Sequence, residues 1–181
     1  TIVPPGPRHL HIPDFELEAL NTVAETIWQP DDPETIKLQK LEKYFLSKFS
    51  YTLDLQNKGS HSSLLQNFLL SSKKGHCELF ATASALLLRT ADIPTRYVTG
   101  FAVEEFSGLE NSFIVRERHA HAWAEAFLDG QWRVVDNTPP DWLAVDKENS
   151  PGFETIKDLV AFLKHRYNRF QIGSEDNYNT I

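Results

Sequence analysis

Gly75-His76-Cys77-Glu78-Leu79-Phe80-Ala81-Thr82-Ala83-Ser84-Ala85-Leu86-Leu87-Leu88-Arg89-Thr90 is the stretch from which the rest of the chain can be read. Between Glu78 and Arg89 it carries no charge and is mostly Ala, Leu and Phe. A helix apolar on nearly every side belongs in a core. It must stop before Asp92-Ile93-Pro94, because a residue preceding proline avoids the α region. Cys77, the single cysteine of the chain, opens this helix. A helix N-terminus offers free N–H groups and the positive end of the macrodipole, and both favour a thiolate over a thiol. The same N–H groups suit a developing oxyanion. Gly75 lets the backbone turn sharply into the helix. Against the nucleophile stands the commoner fate of a lone cysteine, which is to be buried and inert.

Reading outward, helices precede the stretch and strands follow it. Residues 1–13 hold four prolines and a glycine and read as an irregular lead-in. Asp14 is placed to cap a helix over about 15–28, with Leu17, Leu20, Ala24 and Ile27 on one face. Asp32-Pro33 starts a second helix, with Pro33 at its first position and Ile36, Leu41, Phe45 and Phe49 along it. Tyr51, Leu53 and Leu55 alternate with polar residues as in a strand, and Leu64 to Leu70 is a short apolar segment. Strands are expected at Arg96–Val103, Phe113–Arg118, Ala120–Leu128 and Trp132–Asn137. Asp129-Gly130 between the last two is a two-residue hairpin signal. A terminal helix is expected over Phe153–Tyr167, and 173–181 is polar. Helices first and strands later make an α+β domain, taken as one domain over 1–181 with its core at about 40–143 and a helical extension at 144–181.

Composition removes several classes of function. The 181 residues include one cysteine, which excludes an internal disulfide framework and a Cys-rich zinc module. A net charge of −7 argues against a nucleic-acid partner. No run of about 18 apolar residues is present to span a membrane, and no basic segment leads into an apolar one as in a signal peptide. The chain has no methionine and starts at Thr1. The expectation is a processed protein or a piece of a longer one.

A thiol nucleophile needs a base, and the base needs an orienting group. The hairpin supplies both. A two-residue turn at Asp129-Gly130 sets Trp123 opposite Asp136 and His121 opposite Thr138. His121 and Asp136 are then diagonal neighbours on one face, roughly 7–8 Å apart at Cβ and within side-chain reach. His119 shares that face but has Thr138 as its diagonal partner, so the register favours His121. A His119–His121 metal pair is conceivable, but a closed zinc site wants four ligands and only Asp136 and His76 are obvious additions; no metal or organic cofactor is implied. His119 reads as a solvated strand residue. Glu78, in the first helical turn, suits the dipole and is read as an ion-pair partner of Arg89 or Arg96, or of a substrate amine. Arg96 is read as structural, holding its turn or pairing with Glu125. Trp123 is a candidate to pack over the imidazole or line the substrate site, and His76 to help bind substrate. Gln66 and Tyr51 are upstream candidates for a second oxyanion donor, neither anchored by a motif.

The set Gly75-His76-Cys77-Glu78-Leu79-Phe80-Ala81, Leu88-Arg89, Ile93-Pro94-Thr95-Arg96, Val98-Thr99-Gly100-Phe101, His121-Ala122-Trp123-Ala124-Glu125, Trp132 and Asp136-Asn137-Thr138-Pro139, in this order and spacing, resembles the core of the transglutaminase-like superfamily. It looks most like bacterial members joined to membrane segments. The resemblance implies a papain-like cysteine-protease fold, with N-terminal helices and a nucleophile helix packed on an antiparallel sheet. It implies Cys77 as nucleophile, His121 as base and Asp136 as orienting acid. The implied activity is thiol acyl transfer on peptide or glutamine-type amides, ending in hydrolysis (protease or amidase) or in cross-linking. The alternative is a catalytically silent peptide-binding or sensory module of the same fold. No EF-hand-like calcium loop is present. The expected partner is a peptide or protein substrate. The expected place is an extracytoplasmic domain tethered to membrane segments of a larger protein, with the cytoplasm as alternative because a free thiol survives in a reducing compartment.

Overall fold

The computed structural model describes residues 3–55, 63–108 and 111–148. The chain divides into two compact units, Thr1–Glu148 and Asn149–Ile181, and every described residue lies in the first. The helix expected over Phe153–Tyr167 falls outside the described residues.

The elements run α1 (Asp14–Ile27), α2 (Glu34–Lys48), β1 (Ser50–Tyr51), α3 (Leu64–Gln66), β2 (Lys74–Gly75), α4 (Cys77–Thr90), β3 (Thr95–Phe101), β4 (Glu105–Ser107), β5 (Ser112–Ile114), β6 (Ala120–Leu128), β7 (Gln131–Val135) and α5 (Trp142–Glu148). The fold is α+β. Its centre is α4, packed between α1 and α2 on one side and the antiparallel sheet β3-β6-β7 on the other. The sheet side is close because β6 presents Ala122, Ala124 and Ala126, all essentially without exposure, toward the helix. On the helical side, Phe45, Phe49, Phe68 and Phe80 form one aromatic cluster with ring centroids 4.9–6.3 Å apart. Such offset and edge contacts add to plain burial.

Several boundaries differ from the sequence reading, each for a local reason. Asp14 is the first helical residue rather than the cap, which is Pro13. The buried face of α1 is Glu16, Ala19, Leu20, Val23 and Ala24, and Leu17 is exposed. Pro33 is likewise the cap of α2 and Glu34 its first residue. The strand expected through Leu55 stops at Tyr51. It pairs in parallel with β2 through two positions only, and the Thr52 hydroxyl then accepts the Asp54 N–H at 3.1 Å, bending the chain away. Leu64–Leu70 is one helical turn followed by a π turn over Asn67–Ser72.

The strand expected at Phe113–Arg118 ends at Ile114. A 3-10 turn over Glu117–His119 follows, closed by Arg116 N–H donating to His119 Nδ1 at 3.3 Å. Strand β3 begins at Thr95 and ends at Phe101, and β4 went unanticipated. The Asp129-Gly130 hairpin forms with the expected register, Ala124 opposite Val135 and Leu128 opposite Gln131. Both turn residues have positive φ, +50° and +76°, the requirement of a type I′ turn.

The lead-in is irregular but anchored. Trp132 Nε1–H donates to Val3 O at 2.8 Å, His9 lies against the Trp132 ring, and Arg89 donates to His11 O. Among the described residues no helix is long and apolar enough to cross a membrane.

Candidate active site

The nucleophile candidate sits where the sequence placed it. His76 is the N-cap of α4 and Cys77 its first residue. The N–H groups of Leu79 and Phe80 turn back to His76 O. Those of Cys77 and Glu78 stand at the helix start, where no intrahelical acceptor exists. Gly75 permits this entry: a Cβ there would lie 2.7 Å from Leu79 Cδ1 and 3.0 Å from the Phe68 ring.

Strand β6 delivers His121 to the thiol, and the end of β7 delivers Asp136 to His121. The imidazole Nε2 lies 2.7 Å from Asp136 Oδ2. The other carboxylate oxygen accepts the Thr138 N–H at 3.0 Å, which fixes the carboxylate plane. Asp136 lies one residue past the last ladder pair, Ala124 with Val135, and His121 lies three residues before Ala124. The diagonal geometry read from the hairpin register therefore brings the two side chains together. His121 Nδ1 is buried and makes no hydrogen bond of its own in the resting geometry; it is the ring nitrogen left to serve Cys77. Such contacts are commonly loose before substrate binds.

Charge at the site follows from these contacts. Burial alone raises the Cys77 pKa. The interactions with His121 and His76, the N–H of Ala122 and the charge of His121 outweigh it and hold the thiol at about 7. Burial alone would lower the His121 pKa. The Asp136 carboxylate and the Cys77 sulfur outweigh it and push the imidazole up to about 9. Burial raises Asp136, and its bonds to His121 and the Thr138 N–H bring it below the usual carboxylate value. The combination favours a thiolate–imidazolium pair near neutral pH, the form in which a cysteine attacks.

A cleft of about 330 Å³ opens on this pair, lined by Cys77 and Glu78 on one side and by Thr99, Gly100, Phe101 and the start of β6 on the other. Trp123 does not form its wall. The indole lies behind Gly100, where a Cβ would come within 2.8 Å of Trp123 Cη2, and it runs nearly parallel to the His121 ring at 6.1 Å. His76 is half-buried, with Nδ1 3.8 Å from Glu78 Oε2; it is not part of the cleft lining, and its interaction with the Cys77 thiol lowers the pKa there. Glu78 does not pair with either arginine. Arg96 bonds Glu125 at 2.5 Å and covers the Trp132 ring, as its structural reading requires. Arg89 donates to Thr95 O and His11 O.

His119 is buried in the turn before β6, 4.0 Å from Glu105, and not a solvated strand residue. Gln66 donates to Phe15 O at 2.7 Å, which assigns it to packing on α1 rather than to the oxyanion. Tyr51 is buried against Trp142. Among the described residues no group of three or more His, Cys, Asp or Glu could hold a metal.

Two supporting contacts escaped the sequence. Trp142, at the start of α5, stacks flush on His121, with centroids 4.2 Å apart and planes 9° from parallel. Trp142 thus roofs the imidazole, with Trp123 farther off at 6.1 Å. Asn137 Nδ2 donates to Ser84 Oγ at 2.8 Å in the core, tying the strand end that carries Asp136 to the helix that carries Cys77. The available signals were a tryptophan six residues beyond Asp136 and a serine inside an otherwise apolar helix. Neither specifies its partner.

Comparison with known proteins bears on the family and the fold. Residues 21–137 match the transglutaminase-like superfamily. The chain is 30% identical over 139 residues to YebA of Bacillus subtilis, covering 72% of this chain and 19% of that protein. It is 30% identical over 133 residues to a protein-glutamine gamma-glutamyltransferase of Pseudomonas aeruginosa, covering 72% of this chain and 20% of that one. The matched region is thus about a fifth of the length of these relatives. Among solved structures, the periplasmic domain of TgpA from Pseudomonas aeruginosa superposes with a TM-score of 0.60 at 27% identity, covering 75% of this chain and 50% of that one.

Proposed function

The chain belongs to the transglutaminase-like superfamily, and on that premise we propose that it is a thiol acyl-transfer enzyme acting on peptide or glutamine-type amides. One observation carries the reading. His121 Nε2 is bonded to Asp136 at 2.7 Å while the same ring lines one cleft with Cys77, the first residue of α4. A silent binding module has no use for that arrangement.

In this reading the Cys77 thiolate attacks the amide carbonyl, and the oxyanion develops beside the N–H groups at the start of α4. The His121 imidazolium protonates the leaving amine, and the C–N bond breaks to leave a thioester on Cys77. Neutral His121 then takes a proton from water or from an incoming amine. That nucleophile attacks the thioester and releases the acid or the new amide. Asp136 orients the ring throughout and stabilises its charged form. The partner is a peptide or protein substrate, and the chemistry calls for no cofactor. The compartment in this proposal is extracytoplasmic, as for the periplasmic Pseudomonas relative.

The test is mass spectrometry of the protein after incubation with glutaminyl peptides, with and without a primary amine. A thioester adduct on Cys77 is expected in both. Amine incorporation selects transamidation, and release of acid alone selects hydrolysis. Absence of any Cys77 adduct across a peptide panel overturns the enzyme reading.

A further inference from the structure

Strand β3 is an edge of its sheet among the described residues, and its side chains alternate between two environments. Thr95 is fully buried beneath α4. Tyr97, Thr99 and Phe101 follow at alternate positions on the same face. This face is also that of Ala122, since Thr99 pairs with Ala122 and Phe101 with Ala120. Yet Tyr97 is 41% exposed and Phe101 56% exposed. The helix covers this face only at Thr95. Past that point the row looks across the cleft toward the first turn of α4. Thr99 and Phe101 line the cleft together with Cys77 and His121, and Tyr97 senses the charges of Glu78 and Cys77.

The chain just beyond Phe101 carries two further exposed aromatic rings. The chain leaves β3 there and re-enters the sheet at Ala120, its register partner. The excursion between them is the antiparallel pair β4–β5, in which Phe106 and Phe113 stand opposite each other. Their rings meet edge to face at 5.3 Å, and both are more than half exposed. Aromatic pairs normally repay their ordering by burial, and this one remains open to solvent. The base of the excursion is locked. Glu105 accepts from Arg116 at 2.7 and 2.6 Å and from Arg118 at 3.2 Å, with His119 buried beside it. The pair is thus a preorganised arm rooted at the rim of the cleft.

We propose that the Tyr97–Thr99–Phe101 row and the Phe106–Phe113 pair form a docking strip for the acyl-donor polypeptide, holding apolar side chains that flank its reactive amide. The inference rests on the acyl-transfer reading for the identity of the occupant. The strip begins inside the cleft that holds the nucleophile, so a chain lying on it carries an amide past Cys77. An aromatic row selects apolar flanks, and a rigid arm lowers the ordering cost of binding them.

The experiment is fluorescence anisotropy on the Cys77→Ala protein with two labelled peptides, a glutamine flanked by Leu and Phe and the same peptide flanked by Ser. Each Kd is then repeated in Phe101→Ser/Phe113→Ser on that background. Both positions are exposed, so the substitutions remove no core contact. The apolar-flanked peptide is expected to bind about tenfold tighter, roughly the worth of covering one half-exposed ring. The double variant is expected to reduce that preference to below about twofold. Equal Kd values for the two peptides overturn the strip, as does a preference that survives the double variant. A strip that serves instead as a contact between copies or with a membrane gives no peptide preference, with the double variant shifting the sedimentation profile or abolishing binding to anionic vesicles. Peptide preference without Cys77 acylation in the unsubstituted protein sinks the enzyme reading and leaves the strip standing. Acylation without preference does the reverse.

Discussion

Replacing Asp136 by Asn tests the electrostatic logic of the site with almost no change of shape. In the structure one carboxylate oxygen faces His121 Nε2 at 2.7 Å and the other accepts the Thr138 N–H at 3.0 Å. A backbone N–H only donates, so the amide oxygen of Asn must stay with Thr138 and the NH2 group must face Nε2. The imidazole then has to present a lone pair at Nε2 and carry its proton on Nδ1. That tautomer is neutral and offers the thiol a donor where it needs a base.

Without the carboxylate, only the Cys77 sulfur is left to oppose the burial that by itself lowers His121. With the imidazolium gone, the thiol loses its main counter-charge, and its pKa should climb from about 7 back toward about 9, the ordinary range of a thiol, or beyond. At pH 7.5 the thiolate fraction falls from about three-quarters to about 3% if the pKa reaches about 9. A single alkylation rate understates this. A thiolate of higher pKa is intrinsically more nucleophilic, roughly tenfold over two pH steps. The midpoint is free of that bias.

The assay is therefore the pH dependence of thiolate absorbance near 240 nm, with Cys77→Ser as the blank, supported by iodoacetamide rates across pH. The expected midpoints are about 7 for the unsubstituted protein and at least one to two pH steps higher for Asp136→Asn. A variant midpoint still near 7 would refute the reasoning. It would assign the low thiol pKa to the helix terminus and His76 rather than to the His121–Asp136 pair.

The remaining expectations concern the same geometry. Turnover of a glutaminyl peptide should give a bell-shaped kcat/KM profile. It rises near pH 7 as Cys77 loses its proton and falls near pH 9 as His121 loses the one it must donate; a profile without the alkaline limb contradicts the assignment. Trp142→Ala should open the His121–Asp136 bond to water and lower kcat by about tenfold, with Trp142→Phe recovering most of it, since the stacked ring and the hydrogen bond it shields are each worth about 1 kcal/mol. Equal rates for the Ala variant and the parent would show the stacking to be incidental. Ser84→Ala strands the Asn137 amide in the core, at a cost of about 1–3 kcal/mol. The thermal midpoint should drop by roughly 3–10 °C, and an unchanged midpoint by calorimetry would deny the strut its role.

The nucleophile helix, its first and last residues and its burial were legible because an uncharged Ala/Leu/Phe run has one stable place, the core. The His121–Asp136 pairing was legible because an Asp-Gly turn sets register, and register dictates diagonal neighbours. Local chemistry determines both, so the sequence by itself carried them. It also carried the family resemblance, whose motifs lie on these same elements. What it could not carry depends on contacts between segments far apart in the chain. Trp142 roofs His121 only because α5 packs against the 3-10 turn at Glu117–His119 that leads into β6. Trp123 stands behind the cleft rather than in it because Gly100 lets the indole close over the strand. Glu78 missed the arginines because Arg96 and Arg89 already had nearer acceptors. The row from Tyr97 to Phe101 became a surface only because α4 ends its cover at Thr95. Periodicity tells which side chains share a face. Only the tertiary structure decides whether another element lies against that face or leaves it open to a substrate.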